Sequence, residues 1–159
     1  MKILKDIAEF IRDKDHFLIT SHARPDGDSL GTAFALAEAL GQMGKTAEVV
    51  NADPVPRMYE SLPGSDRMIV SDRIQGAYGA LIVLECCNLE RTGVKGLGGF
   101  AAVNIDHHLK NDEFGDLNWV DPKAAAVGEM VFLLFGELGV RITPEIATNL
   151  YVALLTDTG

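Results

Sequence analysis

The chain has 159 residues, 47% of them hydrophobic and 23% charged, with a formal net charge of −9. That length suits one domain, able to bury roughly 70% of the surface its unfolded form exposes, and low-complexity segments, internal repeats and long linkers are absent. An acidic balance without a run of Lys or Arg argues against a grip on long nucleic acid, and part of it is what a cation site looks like when the ion is left out of the count.

Ile3, Leu4, Ile7, Phe10 and Ile11 recur at helical spacing, so residues near 2–13 read as an amphipathic helix. Residues 17–20 follow as a buried strand. Beyond the polar segment SHARPDGD, the positions Leu30, Phe34, Leu36, Ala37 and Leu40 mark a second helix, with Ser29 near its N-cap and Gly44 past its end. Strands are expected at 46–50, 68–70, 80–84 and 101–105, the run ALIVL being central in the sheet. Val127, Met130, Val131, Leu134, Phe135 and Leu138 form a helix that stops at Gly139. A last helix begins at Thr143-Pro144-Glu145, with Thr as cap and Pro at the first helical position, and runs to about Thr156. Strands alternating with helices imply an α/β fold, a mostly parallel sheet covered by helices on both faces.

The longest apolar stretches are broken by Glu85 or Glu129, so no membrane span is expected. The N-terminus lacks a signal-peptide core, which makes the cytoplasm the expected location. Cys86 and Cys87 are adjacent, and neighbours on a strand point to opposite faces, so they read as buried thiols rather than a disulfide.

In a parallel sheet ligands bind beyond the carboxyl ends of the strands. His22, Asp26 and Asp28 follow the first strand, Glu85 follows ALIVL, Asp106, His107 and His108 follow the strand at 101–105, and Asp157 ends the last helix. Each has a local alternative. Asp28 could cap the helix at Ser29, Asp26-Gly27 could be turn chemistry, His22 could be a hydrogen-bonded core histidine, and Asp157 a frayed end. Jointly those alternatives weaken, because carboxylates gathered at one place repel unless a cation or protons neutralise them. Mixed imidazole and carboxylate donors suit manganese, iron, cobalt, zinc or magnesium. So many donors would serve two ions roughly 3.5–4 Å apart, an arrangement that activates water and stabilises an in-line phosphoryl displacement.

SHARPDGDSLG, LECCNLERTG, the triplet Asp106-His107-His108 and the closing TDTG resemble, in order, the four motifs of the DHH phosphoesterase family, over residues 21–159. The first motif is similar to that of the branch acting as oligoribonucleases and 3′-phosphoadenosine 5′-phosphate phosphatases. The resemblance implies a Rossmann-like domain holding two divalent ions, with manganese preferred. His22 and Asp26 would bind one ion, Asp28, His107 and Asp157 the other, and Glu85 would bridge them. Asp106 would orient His107 from behind, and His108 would face the scissile phosphate. Arg91 would brace either a phosphate or its own loop.

Two departures accompany the resemblance. The family's second motif normally carries Asp where this chain has Glu85, a carboxylate moved by more than about 1 Å. Related proteins also continue into a smaller substrate-binding domain, so residues 1–159 are expected to be the catalytic metal-binding domain alone, with weak activity in isolation. The expected substrates are short oligonucleotides or nucleotide bisphosphates, and a homodimer is compatible with the sequence. The alternatives are a cyclic-dinucleotide phosphodiesterase or single-strand exonuclease of the same superfamily, or a non-catalytic nucleotide-binding domain.

Overall fold

The structure, a computed structural model, describes residues 1–159. Its elements in chain order are α1 (Lys2–Asp13), β1 (Phe17–Thr20), α2 (Gly27–Gln42), β2 (Ala47–Asn51), β3 (Ile69–Val70), β4 (Ala80–Leu84), β5 (Ala102–Asp106), β6 (Leu117–Val120), α3 (Val127–Leu138) and α4 (Pro144–Thr158), with short 3-10 turns at 57–59, 65–67 and 90–92. The six strands form one sheet in the order β3-β2-β1-β4-β5-β6, every pairing parallel.

That order places the functional edge. The chain builds outward from β1 to β3, returns to the centre at β4, and builds outward the other way. The order therefore reverses between β1 and β4, which is where an open parallel sheet leaves a crevice. Register keeps the strand ends level there, with Thr20 opposite Val83 and Leu84 opposite Ile105. β1, β4 and β5 are buried along their whole lengths, as near-continuous apolar runs in a covered parallel sheet should be.

The α/β class and the parallel sheet are as expected; the distribution of helices is not. Alternate strand residues separate the two faces. Phe17, Ile19, Ile82, Leu84, Val103 and Ile105 join one core with residues from all four α-helices. Leu18, Val50, Leu81, Val83 and Ala102 join a smaller one with Cys86, Val94 and Leu97, to which no α-helix contributes. The expectation of helices on both faces was drawn from strands alternating with helices. Here β4 reaches β5, and β5 reaches β6, through irregular segments and a 3-10 turn, and these cover the second face.

α2 lies beneath α4 and is buried along most of its length, which suits its small and apolar residues. Its N-cap is Asp26, with Ser29 three residues on, near the cap as expected. Asp26 accepts from the Ser29 N–H at 3.0 Å while the Asp26 N–H donates to Ser29 Oγ at 2.9 Å, a reciprocal capping box. α3 ends at Gly139 in the left-handed region (φ 73°), and Thr143 caps α4 with Pro144 following. The edge strand β6 carries no clear sequence signal, since only Trp119 of its four residues is buried. No helix is long and apolar enough to cross a membrane.

Candidate metal centre

Each donor reaches the crevice from a different element. His22 stands two residues past β1 and Asp26 caps α2, while Asp28 lies in the first turn of α2. Glu85 leaves β4 with φ 51°, a left-handed conformation uncommon for a non-glycine residue. The residue is 4% exposed. Asp106 closes β5, His107 and His108 follow, and Asp157 comes from the last turn of α4.

His22 Nε2 lies 2.8 Å from Glu85 Oε2 and 3.8 Å from Asp26 Oδ2, while its Nδ1 donates to the Ala23 carbonyl at 2.8 Å. Across the crevice, His107 Nε2 is 3.1 Å from Asp157 Oδ2, 3.9 Å from Asp28 Oδ2 and 4.0 Å from Glu85 Oε1. His108 Nε2 is 3.8 Å from the same Glu85 oxygen. Three sets of donor atoms therefore lie mutually within 4.8 Å: His22, Asp26 and Glu85; Asp28, Glu85, His107 and Asp157; and Glu85, His107 and His108. Glu85 belongs to all three, one oxygen turned towards His22 and the other towards His107 and His108. The nitrogen and oxygen donors suit a first-row divalent ion or magnesium.

Asp28 is fully buried, and its local environment differs from the capping role its sequence position suggested. Oδ2 accepts from the Val127 N–H at 2.7 Å; Oδ1 accepts from the Gly128 N–H at 2.9 Å and from Thr32 Oγ1 at 3.0 Å. It thus caps α3, whose own N-cap residue Ala126 has no polar side chain, rather than the helix it sits in. A carboxylate at a helix N-terminus is favourably placed against the helix dipole.

The Asp106 carboxylate also differs from expectation. It receives Nδ1 of His108 at 2.7 Å, whereas His107 reaches it only through its backbone N–H at 2.9 Å. The His107 ring is oriented instead by the Ala124 carbonyl, 3.1 Å from Nδ1. A metal-facing imidazole commonly gives its far N–H to such an acceptor, so His107 still turns Nε2 inwards. Ala124 has no side-chain chemistry to announce this in the sequence. Arg91 is exposed; its carbonyl accepts from the Ala23 N–H at 2.7 Å and its guanidinium touches Cys87 Sγ at 3.5 Å. Its backbone carbonyl braces the loop carrying His22, a different loop from its own.

Crowding and burial govern the protonation of the cluster when no cation is bound. Burial pushes the Asp28 carboxyl up to about 6 against the pull of the Val127 and Gly128 N–H groups, and the Asp157 charge adds to the rise. Burial pushes Glu85 up to about 7, the His22 contact opposing and the charges of Asp26 and Asp28 adding to it. Asp26 and Glu85 together hold His22 protonated up to about 10, Glu85 being the nearer. Burial also raises Asp157. A divalent cation would relieve all of these at once.

A protein-family model described as the DHH family, N-terminal domain, matches residues 16–154. A bifunctional oligoribonuclease and PAP phosphatase of Thermus thermophilus is 41% identical over 145 residues, covering 89% of this chain and 43% of that protein. This chain thus spans about half the length of the curated relatives it matches. An exopolyphosphatase-related protein from Bacteroides fragilis superposes with a TM-score of 0.91 at 26% identity, over 99% of this chain and 50% of that one. RecJ of Thermus thermophilus, solved in complex with Mn2+, shares the fold at a TM-score of 0.62 and 16% identity, over 100% of this chain and 24% of that one. With the family model matching from before β1 to within α4, the chain belongs to the DHH family.

Proposed function

We propose that this chain is the two-metal part of a phosphoesterase acting on short oligonucleotides or nucleotide bisphosphates. The observation that carries the proposal is the sharing of Glu85 between two donor sets at the switch point of the sheet. His22 and Asp26 would hold one cation, Asp28, His107 and Asp157 the other, with Glu85 between them. Two divalent cations there, manganese by analogy with the RecJ neighbour, would supply a water activated near neutral pH. His108, held by Asp106 and 37% exposed at its side chain, would offer Nε2 to the phosphate oxygens or leaving group. Arg91 would contact a phosphate with its exposed guanidinium. The substrate class rests on the relatives named as oligoribonucleases and PAP phosphatases. A second domain, expected from the family resemblance, would supply further substrate contacts, and a cytoplasmic location and a homodimer belong to the same proposal.

The test is turnover of dinucleotides, a nucleotide 3′,5′-bisphosphate and cyclic dinucleotides with manganese, magnesium or a chelator, alongside calorimetric metal titration. Manganese-dependent hydrolysis of the first two is expected, lost on chelation. Glu85→Gln should weaken manganese binding and lower the rate at least about tenfold, roughly 1.4 kcal/mol. Hydrolysis indifferent to chelation, or no cation bound at all, would overturn the proposal.

A further inference from the structure

Behind the His108–Asp106 pair stands a second layer of polar side chains that the proposed chemistry does not yet use. Asn111 lies five residues past Asp106 in the irregular segment between β5 and β6. Its Nδ2 donates to Asp106 Oδ2 at 2.7 Å and to Asn104 Oδ1 at 2.8 Å, so both amide N–H groups are engaged. Asn104 is fully buried in β5, and its own Nδ2 reaches the Cys86 carbonyl at 3.0 Å and the Val83 carbonyl at 3.3 Å.

Both amide orientations follow from their partners. Two carbonyls oblige Asn104 to present nitrogen to them and oxygen to Asn111. A carboxylate and an amide oxygen oblige Asn111 to present nitrogen to both. The backbone is tied down as well. Asn111 Oδ1 accepts from the Glu113 N–H at 2.7 Å, and the Asp112 N–H donates to the Cys87 carbonyl at 2.9 Å.

We infer that Asn111 is a positioning residue for the reaction: it fixes the Asp106 carboxylate so that His108 turns Nε2 into the crevice. The inference rests on the proposed function, in which His108 meets the phosphate. Asp106 Oδ1 already receives the His107 and His108 N–H groups and His108 Nδ1, at 2.9, 3.3 and 2.7 Å. Its Oδ2 has one side-chain partner, Asn111, and without it the plane of the carboxylate is held at Oδ1 alone and can tilt. The His108 ring, hydrogen-bonded through Nδ1 to that carboxylate alone, would follow. Through Asn104, the same amide also supports the Cys86 carbonyl, next to the left-handed turn at Glu85. Asn111 thus joins the segment carrying His108 to the segment carrying Glu85 without being a metal donor itself.

The experiment compares wild type with Asn111→Ala in the intact chain, using kinetics with manganese and NMR of 15N-histidine-labelled protein. The kinetics should show kcat lowered about tenfold or more, with KM and manganese affinity within about twofold. The NMR should show the hydrogen-bonded Nδ1–H signal of His108 weakened or lost, while the His107 ring, held by Ala124, keeps its own. Should Asn111→Ala fold poorly, Asn111→Leu, of similar shape but without donors, gives the same two readouts. An unchanged His108 signal in a folded variant overturns the inference, as does a fall in rate matched by an equal fall in manganese affinity. If wild type hydrolyses none of the phosphoesters, the proposed function fails, and the His108 signal still decides whether Asn111 orients the ring.

Discussion

A buried carboxylate is unfavourable unless donors meet its oxygens, and at Asp28 the Val127 and Gly128 N–H groups and the Thr32 hydroxyl do so. The residue therefore holds α3 as well as offering an oxygen to the crevice. Removing a crowded acid relieves repulsion, but Asp28→Ala also leaves two buried backbone N–H groups without acceptors, each a loss of about 1–3 kcal/mol. The variant should unfold at lower urea concentration than wild type even in chelator, and should fail to bind its cation. An unchanged urea midpoint in chelator would show that these bonds do not stabilise the fold. Sequence patterns announced Asp28 as a site residue but suggested the wrong helix for its capping role. Its partners lie 99 and 100 positions away, and no local periodicity reports a contact at that separation. The partner of Asp106 was missed for a related reason. His107 and His108 are adjacent, and only the turn after β5 decides which ring folds back onto the carboxylate.

Helices α2 and α4 carry Asp28 and Asp157 of the second donor set, and their close approach to each other and to α3 depends on two glycines. A Cβ at Gly31 in α2 would run into the backbone carbonyl oxygen of Asn149 in α4, and one at Gly128 in α3 would stand 2.7 Å from the Cβ of Ala153. Backbone cannot yield as the end of a flexible side chain can. Gly31→Ala should therefore push α4 outwards, destabilise the chain by about 1–3 kcal/mol, and withdraw Asp157 from His107. Calorimetry should then show weaker binding at the Asp157 side with the His22 side little changed; equal affinities at both would refute this account of α4. Elements of this kind were legible because their apolar spacing is long and regular: α1, α3 and α4 begin and end within about two residues of their expected bounds. β6 was not, since a four-residue edge strand with one buried side chain leaves no alternation to read. The placing of every helix on one face was also hidden, because apolar spacing marks which side of a helix is buried but not which face of the sheet it covers.

At the scale of the whole molecule, the crevice concentrates Asp26, Asp28, Glu85 and Asp157 at the reversal point of the sheet in a chain of net charge −9, so proton and cation occupancy should govern stability together. A group whose pKa is higher folded than unfolded takes up protons on folding, and stability then falls as pH rises between the two values. Asp28 rises from 3.8 to about 6 and Glu85 from 4.5 to about 7, so what their protonated forms contribute is lost by about pH 7. His22 rises from 6.5 to about 10, so its contribution is whole below 6.5 and drains away above it. Asp26, lowered to about 2, works in the opposite sense, but its window closes below pH 4. The metal-free protein should therefore be more stable at pH 5.5 than at pH 8. A divalent cation held by this cluster would bind its deprotonated form, so manganese should raise the melting temperature more at pH 8 than at pH 5.5, and binding should release protons. Melting curves in chelator and in excess manganese at the two pH values test this directly. Metal-free stability that rises from pH 5.5 to 8 would mean that the carboxylates are not crowded as the crevice geometry requires. A manganese effect of equal size at both values would mean that the cation binds elsewhere than among these titrating groups.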